Sequence, residues 1–263
     1  MPSMIPPRLG RLIALGALAA TPVLVAATRA TAGPPVSDGT DTLQLEATVH
    51  PATTATRPHP RPVALHLTVR HTSVSGAPAT PPRLFGFDLP SGMNVNLEPR
   101  PKCRWSRLLD RGLNGCPKPS RVGAGTAVLD GRPAGRGYPL TAKVHVLSTL
   151  MDVHPPGFPA FPVLAVYASA PGAEVFTAFG VGSRDRSGMG VNSASTSVPF
   201  GVAIEQLAVT FRSVRWPRAE GGKPLIQAPT RCAGSWRFTA DMTFIRFGPH
   251  LVAIDDVPCR QGS

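Results

Sequence analysis

Two runs of the chain alternate apolar and polar side chains so strictly that they leave little choice of backbone. Leu43, Leu45, Ala47 and Val49 fall on one face of an extended strand, with Gln44, Glu46, Thr48 and His50 on the other. Val63, Leu65, Leu67 and Val69 repeat the pattern against Ala64, His66, Thr68 and Arg70. A period of two sends successive side chains to opposite faces of a sheet. A polar outer row marks an antiparallel strand covered on one side only. Further strands are predicted at Arg83–Leu89, Val122–Leu129, Leu140–Leu150, Phe161–Ala170, Ala173–Val181, Ser193–Pro199 and Leu207–Val214, with a C-terminal hairpin at Trp236–Phe244 and His250–Val257. Phe161–Ala170 is apolar on both faces and so requires cover on both. Pro90-Ser91-Gly92, Pro171-Gly172 and Gly248-Pro249 supply turns, and Pro51–Pro62 is a long proline-rich connection. The 31 prolines interrupt helices but are tolerated in loops and edge strands. The expected fold is all-β, an antiparallel β-sandwich of roughly ten strands.

One short helix is expected, within Lys102–Arg111. At helical spacing Arg104, Arg107 and Arg111 cluster on one side, Trp105, Leu108 and Leu109 fall on the other, and Gly112 stops it. This segment lies between the first two of four cysteines, Cys103, Cys116, Cys232 and Cys259. Four cysteines allow three pairings. The sequential one is preferred, because Cys103–Cys116 and Cys232–Cys259 each bracket a segment that folds back on itself. Each closure would contribute roughly 3 kcal/mol in a chain-entropy account. Zinc is the competing use, but there is no C-x-x-C and the gaps do not suit a zinc site. Disulfides point to an oxidising compartment.

The N-terminus agrees. Arg8 and Arg11 precede an apolar run, Leu12 to Ala27, broken only by Gly16, Thr21 and Pro22, and Ala30-Thr31-Ala32 offers small residues for a signal peptidase. Residues 1–32 read as a cleaved signal peptide, residues 33–42 as a flexible leader and residues 43–263 as one disulfide-bonded domain. The competing reading is an uncleaved anchor, but a membrane helix needs roughly 20 apolar residues, and no span is expected in the mature chain. The product would be secreted or held at the cell envelope. Without the signal it keeps 24 basic against 15 acidic residues, a net charge of +9.

That charge is concentrated. Arg100, Lys102, Arg104, Arg107, Arg111, Lys118 and Arg121 crowd around the first cysteine pair, against Glu98 and Asp110. Such a surface favours anionic wall polymer or lipid headgroups. Nucleic acid fits less well, because no aromatic residues interleave as a stacking platform. Catalytic signatures are absent: there is no Gly-x-Ser-x-Gly, and Ser120 and Ser187 read as turn residues. No catalytic residue and no cofactor is assigned. Gly123-Ala124-Gly125 and Gly180-Val181-Gly182 lack the third glycine and the helix of a phosphate cradle, and read instead as close backbone contacts. His50 and His66, on the polar side of neighbouring strands with His59 and His71 nearby and Glu46 as a third donor, are weak metal candidates against a solvated strand face. Asp255-Asp256 does not suggest calcium, since adjacent strand residues point opposite ways.

Several segments resemble a family of secreted actinobacterial proteins. Cys103, the short helical loop, and then Cys116-Pro117-Lys118-Pro119-Ser120-Arg121-Val122-Gly123-Ala124-Gly125-Thr126-Ala127 match its pattern of a cysteine followed by CPxxSxVGxGxA. Phe85-Gly86-Phe87-Asp88-Leu89-Pro90-Ser91-Gly92 resembles its preceding aromatic strand. Cys232, Trp236-Arg237-Phe238 and Val257-Pro258-Cys259 resemble its ending. The resemblance covers Cys103–Ala127 well and most of 43–259 loosely, and Pro51–Pro62 departs from the family's threonine-rich glycine turn. It implies export and two structural disulfides, and no activity. The expected function is therefore a non-enzymatic binding or structural module at the envelope. The alternative is a secreted hydrolase whose Ser, His and acid come from separate loops.

Overall fold

The structure, a computed structural model, describes residues 32–56, 61–97, 102–134, 139–152, 160–170, 173–184, 188–197, 202–213, 215, 222, 224–244 and 250–262. Residues 1–31 of the segment read as a signal peptide, and the turns expected at Pro171-Gly172 and Gly248-Pro249, lie outside these residues. Among the described residues, six strands precede a single α-helix: β1 (Val36–Ser37), β2 (Asp41–His50), β3 (Ala64–Ser73), β4 (Pro82–Asp88), β5 (Asn94–Val95) and β6 (Cys103–Arg104). The helix is α1 (Trp105–Arg111). After it come β7 (Arg121–Asp130), β8 (Leu140–Met151), β9 (Phe161–Ala170), β10 (Ala173–Arg184) and β11 (Gly188–Ser197). The last four are β12 (Ala203–Phe211), β13 (Ile226–Gln227), β14 (Ser235–Phe244) and β15 (Leu251–Pro258).

Thirteen strands share one sheet in the order β1-β2-β3-β12-β7-β8-β9-β10-β11-β4-β14-β15, with β6 added beside β8, while β13 and β5 pair separately. Every pairing between named strands is antiparallel except that of β6 with β8. The sheet folds over until β15 lies against β2. There the Asp255 carboxylate accepts the Ala47 N–H at 2.6 Å, so a side chain, not a ladder, covers the meeting edges. The result is the expected β-sandwich and not a closed barrel.

The alternation places the core. Leu43, Leu45, Ala47 and Val49 of β2 are buried with Leu65, Leu67 and Val69 of β3, and Trp236, Phe238, Ala240, Met242 and Phe244 line the inner face of β14. Burying each such large side chain contributes about 1.5–3 kcal/mol. Strand β9 is apolar on both faces because both are covered. Leu164, Val166 and Ala168 enter the main core, while Val163, Ala165 and Tyr167 enter a second, smaller cluster under α1. Gly123 and Gly125 mark a close backbone approach. A Cβ on Gly125 would collide with the Ala208 carbonyl of β12, and one on Gly123 would come within 2.9 Å of the Thr210 carbonyl.

Two expectations change, and the helix falls within its expected bounds. Residues 33–42 contain β1 and the first two residues of β2, held by pairing of Val36 with Leu43 and Ser37 with Thr42. The helix starts at Trp105 because Cys103 and Arg104 extend beside Thr149 and Leu150 of β8. The strand expected from Ser193 begins at Gly188, where pairing with β10 decides and side-chain pattern does not.

Candidate functional site

The basic segment is built on the outer face of β8 and β9. Both disulfides pair as expected, Cys103 with Cys116 and Cys232 with Cys259. Beneath α1, Trp105 and Leu108 pack with the first disulfide against Leu147, Val163, Ala165 and Tyr167. Asp152, just beyond β8, accepts hydrogen bonds from the Ser106 N–H at 2.9 Å and the Ser106 hydroxyl at 2.7 Å, which places a carboxylate at the start of the helix. Burial pushes the Asp152 carboxyl up, but these hydrogen bonds and nearby Arg104 hold it below its usual range. At the other end Gly112 adopts φ 54°, where a side chain would be strained, and its N–H returns to the Leu108 carbonyl.

With its apolar side fixed, the helix turns its cations outward. Arg104, Arg107, Arg111, Lys118 and Arg121 are exposed and Lys102 is half-buried, while Arg100 lies outside the described residues. Arg111 meets Asp110 at 3.1 Å, but the two side chains are 73% and 72% exposed, so the pair neutralises little. Arg121 donates to the Leu113 carbonyl at 3.2 Å, fixing its guanidinium near the loop. The surface continues onto the sheet in a way the sequence reading missed. Lys143 and His145 of β8 lie opposite Thr126 and Ala124 of β7. Partial burial, Arg121 and Lys143 hold the imidazole of His145 below its ordinary pKa. Only the strand register could have revealed this extension.

The other candidates are placed apart. Ser120 is buried and its hydroxyl donates to the Pro117 carbonyl at 2.6 Å, a turn contact. Ser187 and His59 lie outside the described residues. His50 is exposed at the end of β2, and both ring nitrogens of His66 meet hydroxyls, Thr210 at 2.8 Å and Thr68 at 3.1 Å. No group of three His, Cys, Asp or Glu converges for a metal among the described residues. Asp255 points inward and Asp256 outward to Arg237 at 3.1 Å, the opposed arrangement expected of strand neighbours. No helix among the described residues is long and apolar enough to cross a membrane. A cavity of about 40 Å³ lies between Leu65, Phe87, Val146, Val166, Phe211 and Ile226, with apolar residues throughout its lining, and offers no group for acid–base or nucleophilic work.

Two polar clusters were not foreseen as such. Asp41 and His71 continue the inward rows of β2 and β3, fully buried, 3.5 Å apart. Neither imidazole nitrogen makes a hydrogen bond, and burial holds His71 below its ordinary pKa despite the Asp41 charge. The same alternation that placed Leu43 and Val69 inside would have placed these. Asp130, at the end of β7, is gripped by Arg132 at 2.6 Å, and Arg132 also reaches Glu205 at 3.6 Å. The Arg132 hydrogen bonds hold Asp130 low, whereas burial and the Asp130 charge push Glu205 up. Glu205 sits where β12 slips register against β7, a bulge without sequence signal. A second histidine–acid pair, His250 and Asp241, lies 3.8 Å apart at a more exposed position. No family model matches this chain, and neither a curated protein nor a solved structure matches it.

Proposed function

We propose that the protein is exported and acts without catalysis at the cell envelope, binding phosphate-bearing polymer or lipid headgroups through the basic surface of α1. The observation that carries this is a helix held by its buried side. Trp105, Leu108 and the Cys103–Cys116 disulfide fix it, so Arg104, Arg107 and Arg111 project together with Lys118, Arg121 and Lys143. A rigid display of cations loses little ordering entropy on binding. Nucleic acid fits less well, since Trp105 is buried and unavailable for stacking. The CPxxSxVGxGxA segment supports placing the chain with secreted actinobacterial proteins, and the two disulfides suit an oxidising compartment.

The test is sedimentation with phosphatidylglycerol vesicles at low and high salt. Each cation near an anionic surface contributes about 1 kcal/mol, so reversing Arg104, Arg107 and Arg111 to Glu weakens retention by at least roughly a hundredfold. Wild-type retention falls as the screening length shrinks from about 10 Å at 0.1 M to about 3 Å at 1 M salt. Equal retention at both salts, or by the triple variant, contradicts the proposal.

A further inference from the structure

The two ends of the sheet meet along one edge of β2, the edge facing away from β3. There β1 pairs at Leu43 and Thr42. Further along, the Gly33 N–H donates to the Leu45 carbonyl at 3.0 Å, and the Asp255 carboxylate accepts the Ala47 N–H at 2.6 Å. Leu45 and Ala47 present their backbone groups to the same edge, so the Gly33 nitrogen and the Asp255 carboxylate occupy successive bonding positions. Gly33 is buried, and its carbonyl accepts the Gln44 side-chain N–H at 3.0 Å. A Cβ at this position would collide with the Ile254 carbonyl of β15, so the site admits only glycine.

Among the described residues, Asp255 has no counter-charge. It is 5% exposed, and the charged groups that act on it are Glu46 and Asp256, both anionic. An unpaired buried carboxylate is costly. We propose that cleavage between Ala32 and Gly33 supplies the missing cation: the new α-ammonium of Gly33 docks beside Asp255 and locks the seam where β2 meets β15. Water adds across the Ala32–Gly33 amide, a carboxylate leaves with Ala32, and the amine kept by Gly33 takes up a proton at neutral pH. In the uncut chain this nitrogen carries one N–H and no charge. After cleavage it has one hydrogen for Leu45 and others to turn towards Asp255. The inference rests on the export reading for the protease and is independent of anion binding at α1.

The test compares three forms of the mature chain: beginning at Gly33 with a free amine, beginning at Gly33 with the amine acetylated, and beginning at Ala32. Each is melted at neutral pH in the wild-type and Asp255→Asn backgrounds. The free-amine Gly33 form should melt roughly 2–4 °C above the other two, and all three should melt together in the D255N background. Equal melting in the wild-type background, or a gap that survives D255N, overturns the docking. The acetylation comparison stands even where D255N does not fold. N-terminal sequencing of the exported natural protein should begin at Gly33. Another first residue overturns the cleavage while leaving export intact.

Discussion

The two disulfides do different physical work. Cys103–Cys116 is buried, spans 13 residues, and clamps a helix to the outside of the sheet through a small core of its own. Cys232–Cys259 is partly exposed, spans 27 residues, and ties together the base of a hairpin already paired from Ser235–Pro258 to Met242–Leu251. Chain entropy alone ranks the longer loop slightly higher, at a little over 3 kcal/mol against about 3. Packing ranks them the other way for local order. The hairpin keeps its ladder without sulfur, whereas α1, seven residues long, falls below the length at which an isolated helix persists. Loop length therefore sets how much a cross-link stabilises, and its neighbours set what is lost without it.

The largest test of this contrast uses two tryptophans that are buried, one in each region. Trp105→Ala and Trp236→Ala should each cost about 3–5 kcal/mol by leaving a cavity. Hydrogen exchange should separate them: the first loses protection around Cys103–Arg121 alone, the second across β14 and β15 and the sheet they join. Identical footprints would erase the distinction. Acid should reach the second region through His71. His71 packs its ring on Phe244 of β14 at 5.4 Å, and burial lowers its native pKa below 6.5. The unfolded chain then binds a proton that the folded chain refuses, so stability is full above about pH 6.5 and declines as pH falls through it towards the native value. Melting at pH 7 and pH 5 should show this decline in the wild type and a flatter profile in His71→Gln. The smallest effect belongs to the exposed pair on α1. Asp110→Asn should change stability by less than about 0.5 kcal/mol while tightening retention on anionic vesicles.

Strand positions were legible because one face is buried and a slip of one residue would turn Leu43 or Phe238 to solvent. The helix was legible because Trp105 and Leu108 separate from Arg107 and Arg111 at helical spacing, although Leu109, expected on the apolar side, is exposed. Strand β11, rich in Gly and Ser, carries no such contrast and is set by its partner. Asp41 and His71 were legible in principle, since they extend the inward rows, but a polar residue there reads as the end of a strand. The Asp130–Arg132–Glu205 cluster and the basic extension at Lys143 and His145 depend on which distant strands become neighbours. Local pattern does not carry that information.

The central claim is that the first disulfide exists to display cations. Binding to phosphatidylglycerol vesicles at low salt should be compared in two double variants, Cys103→Ala with Cys116→Ala and Cys232→Ala with Cys259→Ala. The account predicts that the first pair of substitutions loosens α1 and weakens binding roughly tenfold or more, the cost of about 1.4 kcal/mol of ordering, while the second pair leaves binding unchanged in protein that remains folded. Equal affinity of the two variants would contradict it.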